Sequence, residues 1–215
     1  MGTDQLGRDL LAQLLQGTRI ALAVGLLAAG GAVLLGTILG IISGWHRGWI
    51  DGIVLWLSGT VVAIPGVLLI LAIAAMMGKG FTAVCTSFAL VSWVGVYRLV
   101  RAETQRMHSE DFILAARASG ARPWQIFSRH LLPHLRPLIA VQFGLAFVWA
   151  IQTEAVLSFL GVGLVDLPSW GSMIAEAWEW NDLGQGRWWR LTGATIALAG
   201  LALSVQRIVT PNEGQ

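Results

Sequence analysis

Five long apolar stretches dominate this chain and limit what it can fold into. They cover approximately residues 18–44, 50–77, 81–100, 135–161 and 189–208. A helix needs about 20 mostly apolar residues to cross a bilayer, and each stretch reaches that length. The composition agrees, since 55% of the 215 residues are hydrophobic and only 12% are charged. We therefore predict an all-α integral membrane protein with about five transmembrane helices.

The basic residues predict how these spans are oriented. Nine of the fourteen lysines and arginines follow the first, third or fifth span: Arg47, Arg98, Arg101, Arg106, Arg117, Arg122, Arg129, Arg136 and Arg207. Cytoplasmic loops carry such an excess, so we expect these segments in the cytoplasm and the N-terminus, with Arg8, outside. The outer side then also receives the turn at 78–80 and the connection 162–187. That connection contains the acidic residues Asp166, Glu176, Glu179 and Asp182.

Residues 1–16 are predicted to form an N-terminal interfacial segment, ahead of a transmembrane domain at 17–210 and a short tail at 211–215. The leucines of this segment fall on one side of a helical wheel: Leu6, Leu10, Leu11, Leu14 and Leu15. Asp4 is placed to cap such a helix, and Asp9 lies in its first turns. The helix either lies on the outer membrane surface or continues the first span. Its polar start does not have the pattern of a signal peptide.

Glycine and proline predict two features within the spans. Gly36, Gly40 and Gly44 recur every four residues, a spacing that lets another helix backbone approach closely. Pro65 lies inside the second span and predicts a kink, because proline removes a backbone donor from the helix. Division of this stretch into two separate spans is the less favoured alternative.

A polar segment rich in arginine, residues 107–133, separates the third and fourth spans. Ser109 or Glu110 can start a short helix that Gly120 ends, and Pro123 suits the opening turn of a second. Pro133 then marks the entry to the fourth span. Two short helices on the cytoplasmic face, crowded with arginines, indicate a surface that docks against another protein.

This segment resembles the cytoplasmic coupling loop of permease subunits in binding-protein-dependent ABC importers. That loop reads Glu-Ala-Ala, three residues, Gly, and then Leu-Pro beginning twelve residues further on. The matching residues are Ala115, Ala116, Gly120, Leu132 and Pro133, while the family's glutamate position is occupied by Leu114. The resemblance implies an ABC importer permease fold in which this loop transmits the movement of a separate ATPase to the spans.

Flanking segments are similar to the C-type permease subunits for dipeptides, oligopeptides and nickel. Residues 2–11 and 17–22 resemble the stretch after the family's first span, and 154–163 with 168–171 resemble its fifth span and outer loop. The likeness covers about residues 2–180. The family's usual first span has no counterpart here, which is compatible with a late start or with a subunit of five spans.

The resemblance also implies a solute, partners and a location. The solute is a peptide or a similar small solute such as nickel. The partners are ABC ATPase subunits, a homologous second permease and a periplasmic or lipid-anchored substrate-binding protein. The location is the bacterial cytoplasmic membrane, which the chain crosses several times.

Glu154 is a carboxylate well inside an apolar span, where a lone charge costs several kcal/mol unless it is paired or faces water. One interpretation places it on the translocation path. The other is a structural hydrogen bond to a neighbouring helix or to the partner subunit. The sequence favours neither.

Other residues give no sign of covalent chemistry. The segment 78–80 is not a phosphate-binding loop, because Phe81 stands where Ser or Thr should hold magnesium, so ATP hydrolysis must come from another chain. His130 and His134 are four apart, but Pro133 is expected to interrupt the helix between them, which argues against a metal site. We predict neither enzyme activity nor a cofactor, and the net charge of +2 does not suggest nucleic-acid binding.

Two rival functions remain at this stage. A secondary transporter or channel that needs no ATPase would carry more ionisable residues or interrupted helices within the membrane. A truncated, nonfunctional permease is compatible with the missing first span and with Leu114.

Overall fold

The structure is a computed structural model that describes residues 2–3, 7–164 and 167–209. Apart from one isolated bridge between Thr3 and Asp9, the regular structure in these ranges is helical. The helices are α1 (Leu10–His46), α2 (Trp49–Val62), α3 (Gly66–Met77), α4 (Phe81–Met107), α5 (Asp111–Ala118), α6 (Pro123–Ile126), α7 (Leu132–Phe159), α8 (Trp170–Glu179) and α9 (Trp189–Val209). The predicted all-α class is confirmed.

Four continuous helical stretches in the described residues are long and apolar enough to cross a membrane. They are Leu10–His46, Phe81–Met107, Trp124–Phe159 and Trp189–Val209. The pair formed by α2 and α3 makes a fifth if its bent path counts as one span. All five predicted spans therefore have a helical counterpart.

α1 runs without a break for 37 residues, so no boundary separates an interfacial helix from the first span near residue 16. The carboxylate of Asp9 accepts a hydrogen bond from the Leu11 backbone N–H at 2.9 Å and caps the helix. Leu10 and Gly17 are buried against other helices, so protein contacts hold this segment in line with the span. Residues 10–16 and the first span are thus one continuous helix. Asp4 and Leu6 lie outside the described residues.

The contact between α1 and α4 organises the bundle. A Cβ added at Gly36, Gly40 or Gly44 would lie 2.6 to 2.9 Å from a backbone oxygen of α4. The opposing carbonyls belong to Trp93, Tyr97 and Arg101, which also recur every four residues. The close packing predicted from the glycine spacing is confirmed, and α4 is the helix that uses it.

The second span is broken rather than kinked. α2 ends at Val62, α3 begins at Gly66, and the two helices are bent by 92°. Pro65 has no backbone N–H, so the Val61 carbonyl loses its helical partner there. No atom lies within 4 Å of a Cβ built at either flanking glycine, Gly59 or Gly66. The predicted kink is thus far sharper than a bend within one helix.

The segment 107–133 begins as predicted and then departs from the prediction. α5 starts after Glu110, and Gly120 follows it with φ +76°. The second short helix is not separate: α6 continues through a π-helical segment, Phe127–Leu131, into α7. The Leu132 N–H already donates to the Phe127 carbonyl, five residues back, so the i−4 pattern is interrupted before Pro133 is reached. Pro133 therefore lies where the N–H that it lacks is not needed, at the second position of α7, and the helix continues through it.

Replacement of Gly40 by Leu should destabilise the bundle. The new side chain would push against the Tyr97 carbonyl and Val100 of α4. Overpacking of this kind costs about 1–3 kcal/mol, so the melting temperature of the detergent-solubilised protein should fall. Gly30→Leu is the matched control on the same helix, since no atom lies within 4 Å of a Cβ built there. Equal melting temperatures for the two variants would contradict the role given to this contact.

Candidate functional site

One side of α5 packs against the bundle, and its other side is exposed. The Ile113 side chain is fully buried, whereas Phe112 and Leu114 are 45% and 48% exposed. Ala115 is exposed and Ala116 half-buried. Leu114, which occupies the family's glutamate position, therefore adds apolar surface to the exposed side. The result is a short helix with a small-residue, apolar outer face at the predicted cytoplasmic end.

The turn after α5 depends on glycine. The Ala121 N–H donates to the Ala116 carbonyl and the Gly120 N–H to the Arg117 carbonyl, both at 3.0 Å. This pair of hydrogen bonds defines a Schellman motif, in which the residue at the Gly120 position is left-handed. The glycine predicted to end the helix is therefore confirmed, and its φ of +76° explains the residue type.

A second contact joins α5 to the transmembrane helices. The Arg117 guanidinium lies over the Trp45 ring at 4.6 Å from its centroid, and the His108 ring meets Trp45 edge-on at 5.1 Å. Burial, and then the positive charges of Arg117 and Arg47, lower the pKa of His108 below its usual value, which favours the neutral form of the ring. A neutral ring can sit beside Arg117 without repulsion. Sequence reasoning missed this contact because its residues are far apart along the chain.

The rest of the predicted coupling residues lie on the helix that leads into the membrane. Leu132 is half-buried and Pro133 exposed, at the first two positions of α7. Trp124, which was not among the predicted residues, is 71% exposed at the start of the same continuous helix. The structure thus brings two exposed apolar elements, α5 and α6, to one end of the bundle.

An ion pair that the sequence did not reveal clamps three helices near this end. The Arg101 guanidinium donates to both carboxylate oxygens of Asp51 at 2.5 Å. The Ser43 hydroxyl also donates to Asp51 and lies 3.2 Å from the Tyr97 hydroxyl. These residues belong to α1, α2 and α4, so the cluster ties the start of α2 to the central helix pair. The sequence did not single out Asp51, because this residue lies at the edge of an apolar stretch.

Glu154 is buried, with 2% of its surface exposed. The Ser158 hydroxyl donates to its carboxylate at 2.6 Å, and the Leu164 N–H donates to the Ser158 hydroxyl at 3.2 Å. The Glu154–Ser158 pair therefore fixes the start of the outer connection, at Leu164, to the end of α7, which supports a structural role for the carboxylate. Its place on the translocation path stays a prediction.

The outer connection contains the helix α8, which starts after Ser169. In α8, Ser169 and Ser172 make a reciprocal capping box. Asp166, predicted on this side, lies outside the described residues.

A charged cluster at the same end joins α8 to α9 and to the N-terminal segment. Arg190 is 2% exposed and lies 3.3 Å from Glu176 and 3.4 Å from Asp182. Arg8 pairs with Glu176 at 3.0 Å, and Arg187 pairs with Asp182 at 3.3 Å. Sequence analysis placed Arg8, Glu176 and Asp182 on one side of the membrane but could not pair them.

The two histidines considered for a metal site lie on a continuous helical path, contrary to the interruption expected at Pro133. His134 instead lies 3.3 Å from Glu103, and His130 meets Phe112 with ring centroids 6.2 Å apart. Among the residues that the structure describes, no group of three His, Cys, Asp or Glu side chains is arranged to hold a metal.

Comparison with known proteins gives the class of this fold and site. Residues 36–212 match the family described as the binding-protein-dependent transport system inner membrane component. This chain belongs to that family. With its apolar spans, the chain is a multi-pass protein of the bacterial cytoplasmic membrane.

Two similar proteins are named as permeases for glutathione and for dipeptides. The chain is 39% identical over 178 residues to the glutathione transport system permease protein GsiD of Pectobacterium atrosepticum, covering 82% of this chain and 59% of that protein. It is 34% identical over 191 residues to the dipeptide transport system permease protein DppC of Bacillus subtilis, covering 88% and 59%. The chain thus spans about three fifths of the length of these relatives.

A solved structure shares the fold. A chain of the MetNI methionine ABC transporter, in an inward-facing conformation, superposes with a TM-score of 0.73 at 18% identity. The match covers 93% of this chain and 95% of that one. The predicted ABC importer permease fold is confirmed.

Substitutions at Glu154 can separate its two interpretations. Glu154→Gln keeps an acceptor for Ser158 and should leave the free energy of unfolding within about 0.5 kcal/mol of the original. Glu154→Leu removes the acceptor for the buried Ser158 hydroxyl and should cost about 1–3 kcal/mol. Thermal unfolding in detergent measures both. Loss of solute uptake in Glu154→Gln, at unchanged stability, would instead assign the carboxylate to the translocation path.

Proposed function

We propose that this chain is one permease subunit of an ABC importer that carries peptides across the cytoplasmic membrane. The relatives described above are named for glutathione and dipeptides, which favours peptides over nickel as the solute. The expected partners are a separate ATPase, a homologous second permease and a substrate-binding protein on the outer side. The subunit itself makes and breaks no covalent bonds.

The observation that carries this proposal is the geometry of α5. Its inner face is held by buried Ile113 and by Arg117 on Trp45, while its outer face, with Leu114 and Ala115, is free in this chain. A short helix with small and apolar residues on its outer side fits a groove on a partner protein. Held in this way, it passes a displacement to α1 instead of moving alone.

The mechanism is alternating access driven from the cytoplasm. When ATP closes the ATPase dimer, α5 and the start of the helix at Trp124 move with it. α1 and α4 follow as one unit, because their backbones are in contact and Arg101 ties α2 to them. The paired subunits then open outward to accept the peptide from its binding protein.

A transporter that works without an ATPase is less well supported. It would have no use for an exposed helix of the α5 type. This chain has one feature in common with such transporters, the helix break between α2 and α3.

Gly120→Val should uncouple ATP hydrolysis from uptake. A β-branched residue at φ +76° is strained by about 1–2 kcal/mol, and this shifts α5 away from its seat. In proteoliposomes with the complete importer, peptide uptake should fall roughly tenfold while ATP hydrolysis continues. Gly120→Asn is the control, since asparagine tolerates this conformation better and should keep more uptake. ATP-driven peptide uptake undisturbed in Gly120→Val would argue against the coupling role.

A cysteine at Ala115 should crosslink to the ATPase in the assembled complex. The position is exposed on the outer face of α5, and Cys85→Ala removes the native thiol. Ala12→Cys, exposed on α1 at the predicted outer side, is the negative control. Gel mobility after reaction with a short bifunctional maleimide provides the measurement. A crosslink to the ATPase from Ala12→Cys but none from Ala115→Cys would overturn both the orientation and the docking surface.

A further inference from the structure

The break between α2 and α3 lies at membrane depth. Val61, in the last turn of α2, packs against the buried cluster of Trp93, Val94 and Tyr97 near the middle of α4. α2 itself is 14 residues long, about 21 Å, which is shorter than the hydrocarbon core of a bilayer. Residues 62–65 are exposed in this chain. Irregular backbone is therefore exposed where lipid tails or a path through the protein must meet it.

The break leaves hydrogen-bond acceptors without donors. Pro65 has no N–H to offer the Val61 carbonyl. Within the described residues, no backbone N–H donates to the carbonyls of residues 60–63. Each such group costs several kcal/mol in hydrocarbon, so irregular backbone occurs at membrane depth only where protein buries it or where it lines a watery cavity.

The surroundings of the break are open and carry hydrogen-bond acceptors. Gly59 and Gly66 flank it, and no atom lies within 4 Å of a Cβ built at either. Thr60 is exposed and adds a hydroxyl, which donates to the Trp56 carbonyl at 3.1 Å. The carboxyl end of α2 also carries the negative end of its helix dipole. The site is thus open, rich in acceptors and suited to N–H donors, including cationic ones.

We propose that the α2–α3 break is a binding site for the main-chain N–H groups and the terminal ammonium of a peptide in transit. This inference rests on the proposed function. Backbone carbonyls recognise the groups that all peptides share, so a site of this kind holds the solute without reading its side chains. Such a site therefore accepts peptides of different sequence.

Thiol labelling of the complete importer in proteoliposomes tests this site. In the Cys85→Ala background, Thr60→Cys should react with a small charged methanethiosulfonate reagent in at least one nucleotide state. Trialanine supplied at twice its Kd should slow that reaction by about threefold, because the bound peptide covers the position. Leu27→Cys, at a position 60% exposed among apolar residues in the middle of α1, should not react.

The variant Pro65→Ala provides a second test if the importer that carries Thr60→Cys does not assemble. Pro65→Ala restores an N–H that can pair with the Val61 carbonyl, so trialanine uptake should fall while the complex still forms and hydrolyses ATP. Unchanged uptake in Pro65→Ala would count against the site.

The labelling outcomes separate this inference from the proposed function. Failure of Thr60→Cys to react in every nucleotide state would mean that the second permease or lipid covers the break, and the site would be refuted. Labelling that trialanine does not slow, in a complex that imports trialanine, would also refute it and leave the proposed function standing. A complex that imports no peptide at all would overturn the proposed function itself.

Discussion

Backbone contact between α1 and α4 is the constraint on which the rest of the bundle depends. Three glycines on α1 meet three carbonyls of α4, with no room for a side chain between them. Apolar side chains alone cannot select one helix pairing within lipid, because tails and side chains are equally apolar; close backbone packing can. α3 and α7 then pack around this pair, and the clusters of buried residues extend from it to both ends.

The polar contacts form one set at each end of this pair. Near the predicted cytoplasmic end, Asp51 and Arg101 hold α2, while Trp45 and Arg117 hold α5. At the opposite end, Arg190 holds α8 to α9, and Arg8 pairs with Glu176. Asp51–Arg101, Trp45–Arg117 and Arg8–Glu176 each join segments that are distant in the chain. The apolar middle supplies the packing, and the charged ends decide which neighbouring segments are held to it.

Span positions, the helix at α5 and the glycine after it could be predicted from the sequence because each depends on local rules. Apolar length predicts a span, and a glycine after a short amphipathic helix predicts its end. The packing partner of Gly36, Gly40 and Gly44 could not be predicted, since spacing describes one surface and not the one opposite. Proline was the least reliable signal. Pro65 produced a full break and Pro133 none, because the outcome depends on neighbouring hydrogen bonds that a residue type does not specify.

The merging of α6, the π-helical segment and α7 has a mechanical consequence. From Trp124 to Phe159 the chain is one helix of 36 residues, about 54 Å long, which starts beside α5 and ends where Gly171 of α8 packs against Ala155. A tilt of about 5° at one end of such a rod displaces the other by roughly 5 Å, comparable to one helical turn. A small tilt of the end beside α5 therefore produces a larger displacement of the end beside α8.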